Sequence, residues 1–294
     1  MSYTLNHDAA RGLLPRREEN RAKWHVGRAM LVCGCASMSG AALMAGTAAL
    51  RSGAGLVQLC SVEEVIAAAR ATLPEALLLP VARQEEAIPG AIHKDAAWIL
   101  LTQGEKAQSL LFGPGIGITD HGRRLLKQLC QTYRGTLVVD ADGLNLLAED
   151  PALLSKVSGR CVLTPHIGEF CRLSGLSRQQ AESDPAGAAG DFARKYGCAV
   201  VLKGAVTHVT DGSRCYVLDC PNSGMAKGGS GDVLAGLTVG LCAQRPAAPL
   251  QNAALAVWLH SRAGLLARQR QGAYAMLPRD VLDCLGQAFG ELER

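Results

Sequence analysis

Asn222-Ser223-Gly224-Met225-Ala226-Lys227-Gly228-Gly229-Ser230-Gly231-Asp232-Val233-Leu234-Ala235-Gly236 is the stretch that decides the fold. A glycine-rich loop ends in one carboxylate. An apolar, small-residue run from Val233 to Cys242 follows, with the length and composition of a buried helix. Successive glycines let backbone N–H groups converge without Cβ obstruction. The helix start adds unpaired N–H groups and a positive dipole end. Together these make a site for phosphate or a developing oxyanion. Asp232 sits at its mouth, where the dipole favours the ionised form and a base at neutral pH. Gly231 is read as needing positive φ and room for a phosphate, so valine there would crowd and strain the loop. The simpler reading makes Asp232 an ordinary N-cap. The loop is not a Walker sequence, because no Gly-Lys-Ser or Gly-Lys-Thr closes it.

Composition narrows the class. The 294 residues are 48% hydrophobic and include 33 glycines, but only 4% are aromatic, so the core must be aliphatic. That suits α/β layers. The net charge of +4 (30 basic against 26 acidic) comes without a basic block, and nothing argues for nucleic acid. No apolar run reaches the roughly 18 residues of a membrane span. The eleven scattered cysteines form no C-x-x-C. An odd count and a polar N-terminus without a signal-peptide core lead us to expect reduced thiols in a cytoplasmic protein.

Working outward, residues 1–26 read as an arm or irregular cap, and 27–294 as one domain. Short apolar strands fall at Ala29–Cys35, Val57–Ser61, Leu77–Val81, Leu110–Phe112, Thr136–Val139, Cys161–Leu163 and Ala199–Leu202. Helices are expected at Ala41–Arg51, Glu63–Thr72 and Asp120–Tyr133, and the C-terminal helices near Asp232, Leu250 and Pro278. A hairpin at Val206–Leu218 turns on Asp211-Gly212. Alternation of this kind predicts a single-domain α/β fold, a doubly wound and mostly parallel sheet flanked by helices. Asp140, Asp142, His166, Lys203 and the glycine loop then gather beyond the carboxyl ends of strands, where such sheets bind ligands.

Five ordered stretches carry a family resemblance. They are Gly40 to Val57, Gly113-Pro114-Gly115-Ile116-Gly117, Asp140 to Asn145, Leu163 to Phe170, and Asn222 to Asp232. The chain resembles the ADP-dependent (S)-NAD(P)H-hydrate dehydratases over roughly residues 27 to 290, which implies a ribokinase-like fold. The resemblance implies dehydration of (S)-NADHX and NADPHX to NADH and NADPH, with ADP converted to AMP and phosphate. Asp232 would take the proton from the substrate hydroxyl. Backbone N–H groups at Gly229, Ser230 and Gly231 would hold the transferring phosphoryl group. Gly231 and the stretch Lys203-Gly204-Ala205-Val206-Thr207 match nucleotide-binding positions. Ala42 (or Ala41), Gly117, His166 and Asp232 match contacts to the hydrated cofactor, and Glu169 would organise a magnesium-bound water.

The same resemblance implies ADP or ATP as co-substrate, Mg2+, no nucleic-acid or membrane partner, and a homo-oligomer, a tetramer in the family. Departures are Ser230 for the usual threonine, Ile167 for the usual proline, and a partial match at Ala22 to Gly27. Relatives with an epimerase domain need about 200 residues more, so the expectation here is the stand-alone dehydratase. His166 has a competing reading as a helix cap. His260 carries no motif support and reads as structural or surface. The alternative function is a small-molecule kinase of the same fold, of hydroxyethylthiazole- or sugar-kinase type. The Leu-Thr-Pro-His-x-Gly-Glu and Asn-x-Gly-Met-Ala-x-Gly-Gly stretches favour the dehydratase. A non-catalytic nucleotide sensor would have no need of the Asp232 base.

Overall fold

The computed structural model describes residues 1–294 apart from Glu18, Arg21 and Glu86. Twelve strands run in chain order: β1 Ser2–Thr4, β2 Arg28–Val32, β3 Leu56–Ser61, β4 Leu77–Pro80, β5 Arg83–Gln84, β6 Ala91–Ile92, β7 Ser109–Phe112, β8 Thr136–Val139, β9 Cys161–Leu163, β10 Ala199–Leu202, β11 Val206–Thr210 and β12 Cys215–Asp219. The helices are α1 His7–Leu13, α2 Lys23–Val26, α3 Ser39–Arg51, α4 Glu63–Thr72, α5 Ala97–Gly104, α6 Asp120–Thr132, α7 Asp142–Leu147, α8 Ile167–Ser174, α9 Arg178–Ser183, α10 Pro185–Tyr196, α11 Ser230–Gln244, α12 Pro249–Ala275 and α13 Pro278–Glu293.

Ten strands form one sheet in the order β1-β12-β11-β10-β9-β8-β7-β2-β3-β4. Every pair from β10 to β4 is parallel, and only the β10–β11–β12 meander is antiparallel. The central strands are apolar without alternation because both of their faces are covered. Leu110, Leu111, Phe112, Leu137, Val138 and Val139 are all inaccessible to solvent. Strand order reverses beside β2: the chain moves out to β3 and β4, then returns to lay β7 on the other side. At such a reversal the loops leaving the carboxyl ends splay apart and open a crevice. The loops after β2 and β7 meet there, with the Gly34 N–H donating to the Pro114 carbonyl at 2.7 Å.

Residues of the expected N-terminal arm are built into the sheet. β1 pairs in parallel with β12, Leu5 is fully buried, and α1 packs on α12 and α13. Glu18 and Arg21 of that arm lie outside the described residues.

Helix α11 is apolar on all sides, and every residue from Val233 to Ala243 is buried. Such a helix belongs inside the molecule. It lies on β2, β7 and β8 and packs most closely against α3. The approach depends on missing side chains. A Cβ at Gly236 would collide with the Ala45 carbonyl oxygen, and one at Gly240 with Ser52 Oγ. Ala45, Ala49 and Ser52 supply the facing surface of α3. Gly236→Ala therefore overpacks this contact and is expected to destabilise by about 1–3 kcal/mol, despite the better helix propensity of alanine. Urea unfolding of the two proteins checks this, and an equal or higher midpoint in the variant contradicts the close contact.

Candidate active site

A cavity of about 910 Å³ opens at the carboxyl edge of the sheet, lined by residues of the β8, β9 and β10 loops, β12, the glycine loop, α11 and α12. Its floor is organised by Lys203, the residue after β10. The Lys203 Nζ donates to Asp140 Oδ1 at 3.0 Å and lies 3.8 Å from Glu169. Thr164 Oγ1 donates to the same Asp140 oxygen at 2.7 Å. Asp140 follows β8, and its side chain is inaccessible to solvent at 1%. Burial works against the Lys203 charge, but Asp140, Glu169 and Asp232 outweigh it and hold its pKa above the ordinary value.

His166 serves as a cap. It forms a capping box with Glu169: His166 Nδ1 accepts the Gly168 and Glu169 N–H groups, and Glu169 Oε2 accepts the His166 N–H at 2.8 Å. With Nδ1 accepting, the proton of the neutral ring belongs on Nε2. The ring is half exposed and lines the cavity, so capping the helix leaves this face open to a ligand.

The glycine loop behaves differently from its reading in sequence. Helix α11 starts at Ser230, so Ser230, Gly231 and Asp232 form its first turn rather than the end of a loop. The residue in left-handed backbone is Gly229, at φ 100°, and Gly231 is helical. A Cβ at Gly231 would meet Lys203 Nζ at 3.5 Å, an ordinary contact, so only the expectation of crowding into the cavity survives there. Among the described residues, the N–H groups of Gly228, Gly229, Gly231 and Asp232 make no hydrogen bond, and all four residues line the cavity. These are the orphan donors that a helix start presents to an anion.

Asp232 stands in that first turn. Burial lifts its pKa to about 6, with Asp140 and Asp142 adding to the effect and Lys203 opposing it. The raised value runs opposite to the ionised carboxylate that the helix start led us to expect. A carboxylate tuned towards neutrality is the better proton acceptor.

The other expected residues divide. Gly204, Ala205 and Thr207 line the cavity, whereas Val206 is 40% exposed and turned away from it. Thr207 Oγ1 closes the strand entry on the Gly204 carbonyl at 3.1 Å. Gly117, at φ 80°, donates its N–H to Asp142 Oδ2 at 2.9 Å and borders Asp232 through that carboxylate, outside the cavity lining. The Ala42 side chain is fully buried where a Cβ on Gly34 would sit, so it offers no contact to a ligand in the cavity. Its neighbour Ala41 is only partly buried and abuts Gly115. Ala141, between the two aspartates, takes φ 50° and ψ −120°, a strained conformation for a residue with a Cβ.

Among the lining residues without an individual role in the sequence reading are Asn222, Lys227 and His260. Asn222 Nδ2 and His260 Nε2 are buried without a hydrogen-bond partner among the described residues. Burial drives the His260 pKa down to about 4, against the pull of the Ser230 backbone, so the ring is neutral. A histidine within Val257-Trp258-Leu259-His260, on an otherwise apolar helix stretch, was the available signal. Among the described residues no three His, Cys, Asp or Glu side chains gather into a metal-holding set.

A mostly parallel sheet that aims a buried helix start and a carboxylate into a crevice at its carboxyl edge defines the ribokinase-like class. A ribokinase-like superfamily protein from Enterococcus faecalis V583 superposes with a TM-score of 0.85 at 26% identity, over 99% of this chain and 96% of that one. The NAD(P)H-hydrate dehydratase family model matches residues 29–287, and the chain belongs to that family of enzymes. An ADP-dependent (S)-NAD(P)H-hydrate dehydratase from Xanthomonas campestris is 35% identical, over 87% of this chain and 85% of that protein. The ADP/ATP-dependent NAD(P)H-hydrate dehydratase of Bacillus subtilis, co-crystallised with ATP/Mg2+, matches with a TM-score of 0.79 at 25% identity, over 98% of each chain. A bifunctional NAD(P)H-hydrate repair enzyme from Moorella thermoacetica is 38% identical over 96% of this chain and 53% of that protein. The chain spans about half the length of the bifunctional relatives it matches.

The raised pKa has a consequence for stability. Asp232 binds a proton more tightly folded than unfolded, so the fold gains as pH falls from about 6 towards 4 and loses that gain above 6. Asp232→Asn removes the buried charge and is expected to stabilise the protein at pH 7.5, on the order of 1–3 kcal/mol. Melting temperatures at pH 7.5 and pH 4.5 check this. The gain should be large at the first pH and small at the second, and a loss of stability at pH 7.5 contradicts the assignment.

Proposed function

We propose that the chain dehydrates (S)-NADHX and NADPHX to NADH and NADPH, converting ADP to AMP and phosphate. The observation that carries this reading is the placement of Asp232 in the same helical turn as the unpartnered N–H groups of Gly229 and Gly231. A base and an anion cradle share one turn, so a hydroxyl and a phosphoryl group can be held against each other.

Asp232 accepts the proton of the 6-hydroxyl as that oxygen attacks the terminal phosphorus of the nucleotide. The free N–H groups at Gly229 and Gly231 take up the charge on the transferring group, whereas the expected third donor, the Ser230 N–H, is held by the Lys227 carbonyl at 3.2 Å. Hydroxide is a poor leaving group, and phosphate is a good one. The ring nitrogen then expels phosphate, the neighbouring carbon loses its proton, and the dihydropyridine is restored. Lys203 sets the charge of the floor, with Gly204, Ala205, Thr207 and Gly231 along the nucleotide. Gly117 and His166 face the hydrated cofactor. Ala41 suits that contact better than Ala42, whose side chain is buried.

A Mg2+ ion would draw most of its ligands from phosphate oxygens and water, which fits a site without a three-residue ligand set. Glu169 would orient one such water through Oε1, the oxygen outside its capping bond, which also faces His166 Nε2 at 3.5 Å. Magnesium supplies charge neutralisation on the phosphates. No helix among the described residues is long and apolar enough to cross a membrane. The eleven unpaired cysteines agree with a cytoplasmic setting. A homo-oligomer, the tetramer the family suggests, has exposed aromatic surface to draw on at Trp98 and Tyr274. ADP in preference to ATP follows the Xanthomonas relative. A kinase would stop at the phosphate ester.

Incubation with hydrated NADH and ADP should restore NADH absorbance and release phosphate, whereas an ester that accumulates without that absorbance would make the chain a kinase. Asp232→Asn is expected to lower kcat about 10²- to 10⁴-fold while ADP still binds. The parent enzyme's kcat/KM should fall as pH drops through about 6, because the protonated carboxyl cannot accept the hydroxyl proton. A flat profile down to pH 5, or an Asn variant within threefold of the parent, rules Asp232 out as the base.

A further inference from the structure

The cavity lining holds three carboxylates, Asp140, Glu169 and Asp232, and only two cationic side chains of lysine or arginine, Lys203 and Lys227. Lys203 is committed to Asp140 and Glu169. A nucleoside diphosphate adds further negative charge to this already acidic lining. Backbone N–H groups contribute partial charges only, so, magnesium apart, a mobile side-chain cation is the missing component.

Lys227 has the attributes of that component. It lies on the glycine loop, two residues before the left-handed Gly229, beside the unpartnered N–H groups. Among the described residues it makes no ion pair, and its Nζ donates to the Tyr274 backbone carbonyl at 2.7 Å. That carbonyl is neutral and lies at the end of α12, two residues past Gly272, where the backbone leaves helical geometry at φ 74° and ψ 165°. A solvent-exposed bond between an ammonium group and a carbonyl is weak in net terms and exchanges readily for a charged acceptor. The lysine stem is long and flexible and carries its charge as a point, which suits phosphate oxygens in more than one position.

We propose that Lys227 is the residue that reads the number of phosphates. On nucleotide binding its ammonium group leaves the Tyr274 carbonyl for the terminal phosphate oxygens, supplying the charge that Lys203 cannot. The inference rests on the nucleotide reading above and adds to it a residue that separates ADP and ATP from AMP and adenosine. The transfer needs no bond breaking beyond the hydrogen bond to Tyr274.

Titration calorimetry of the full chain with those four compounds, for the parent, Lys227→Met and Lys227→Arg, tests it. Lys227→Met should weaken ADP and ATP about tenfold or more, AMP less, and adenosine less than twofold, because only charged oxygens lose a partner. Lys227→Arg should recover most of the lost affinity. Raising the salt concentration should weaken ADP binding more in the parent than in the Met variant. Equal losses for all four compounds, with a lowered melting temperature, would mean that Lys227 merely fastens the end of α12 and would overturn the proposal. Unchanged ADP affinity in a folded Met variant would overturn it as well. Failure of the parent to bind ADP at all would overturn the nucleotide reading, and this inference with it.

Discussion

The Lys203 ammonium, half-buried between Asp140 and Glu169, is the interaction on which the site depends. It joins the carboxyl ends of β8, β9 and β10, because Asp140 follows the first, Thr164 and His166 the second, and Lys203 the third. Removing the lysine would leave two carboxylates buried beside Asp232 without a counter-charge, an arrangement far costlier than its absence from an apolar core. The backbone secures the same point, with the Lys203 N–H donating to the Pro165 carbonyl at 2.8 Å. His166 and Glu169 then lock the start of α8 against this frame. Charge, strand register and helix entry are fixed together.

Against that floor stands α11, which gains its position from close packing on α3 and its chemistry from an uncapped start. Ordinary helices hide their first N–H groups with a side-chain cap. Here Gly229 occupies the cap position and makes no such bond. The donors remain available, and a carboxylate with a raised pKa sits among them. Both features cost stability, as does the strained Ala141 backbone beside Asp140. They lie around one cavity, which is the pattern expected where function and stability compete.

Much of this was legible in the chain. Strands 136–139, 161–163 and 199–202 and the helix at 63–72 are found where apolar runs end at turn residues. β1 was not legible, because Ser2-Tyr3-Thr4 is short, exposed and without alternation, and it is a strand only through its pairing with β12. Motifs located the cavity residues Asp232, Lys203 and His166, but not their microenvironments. That Gly229 rather than Gly231 takes positive φ depends on where α11 starts. That Ala42 faces inward depends on Gly34. Burial and Asp140 set the Asp232 pKa against the dipole, and both act across the fold. Lys227 owes its place to a carbonyl 47 positions away, which no local pattern records, and His260 left only the faint signal of a polar ring in an apolar helix stretch.

The central claim is that the substrate hydroxyl oxygen attacks phosphorus before it leaves the ring. Hydrated NADH labelled with oxygen-18 at the 6-hydroxyl puts that claim to the most direct test. After turnover with unlabelled ADP, mass spectrometry of the inorganic phosphate should find one oxygen-18 per phosphate released, carried over as the carbon–oxygen bond breaks. Unlabelled phosphate, with the label in water, would mean that the hydroxyl departs unaided and that Asp232 and the α11 start do not join it to the nucleotide.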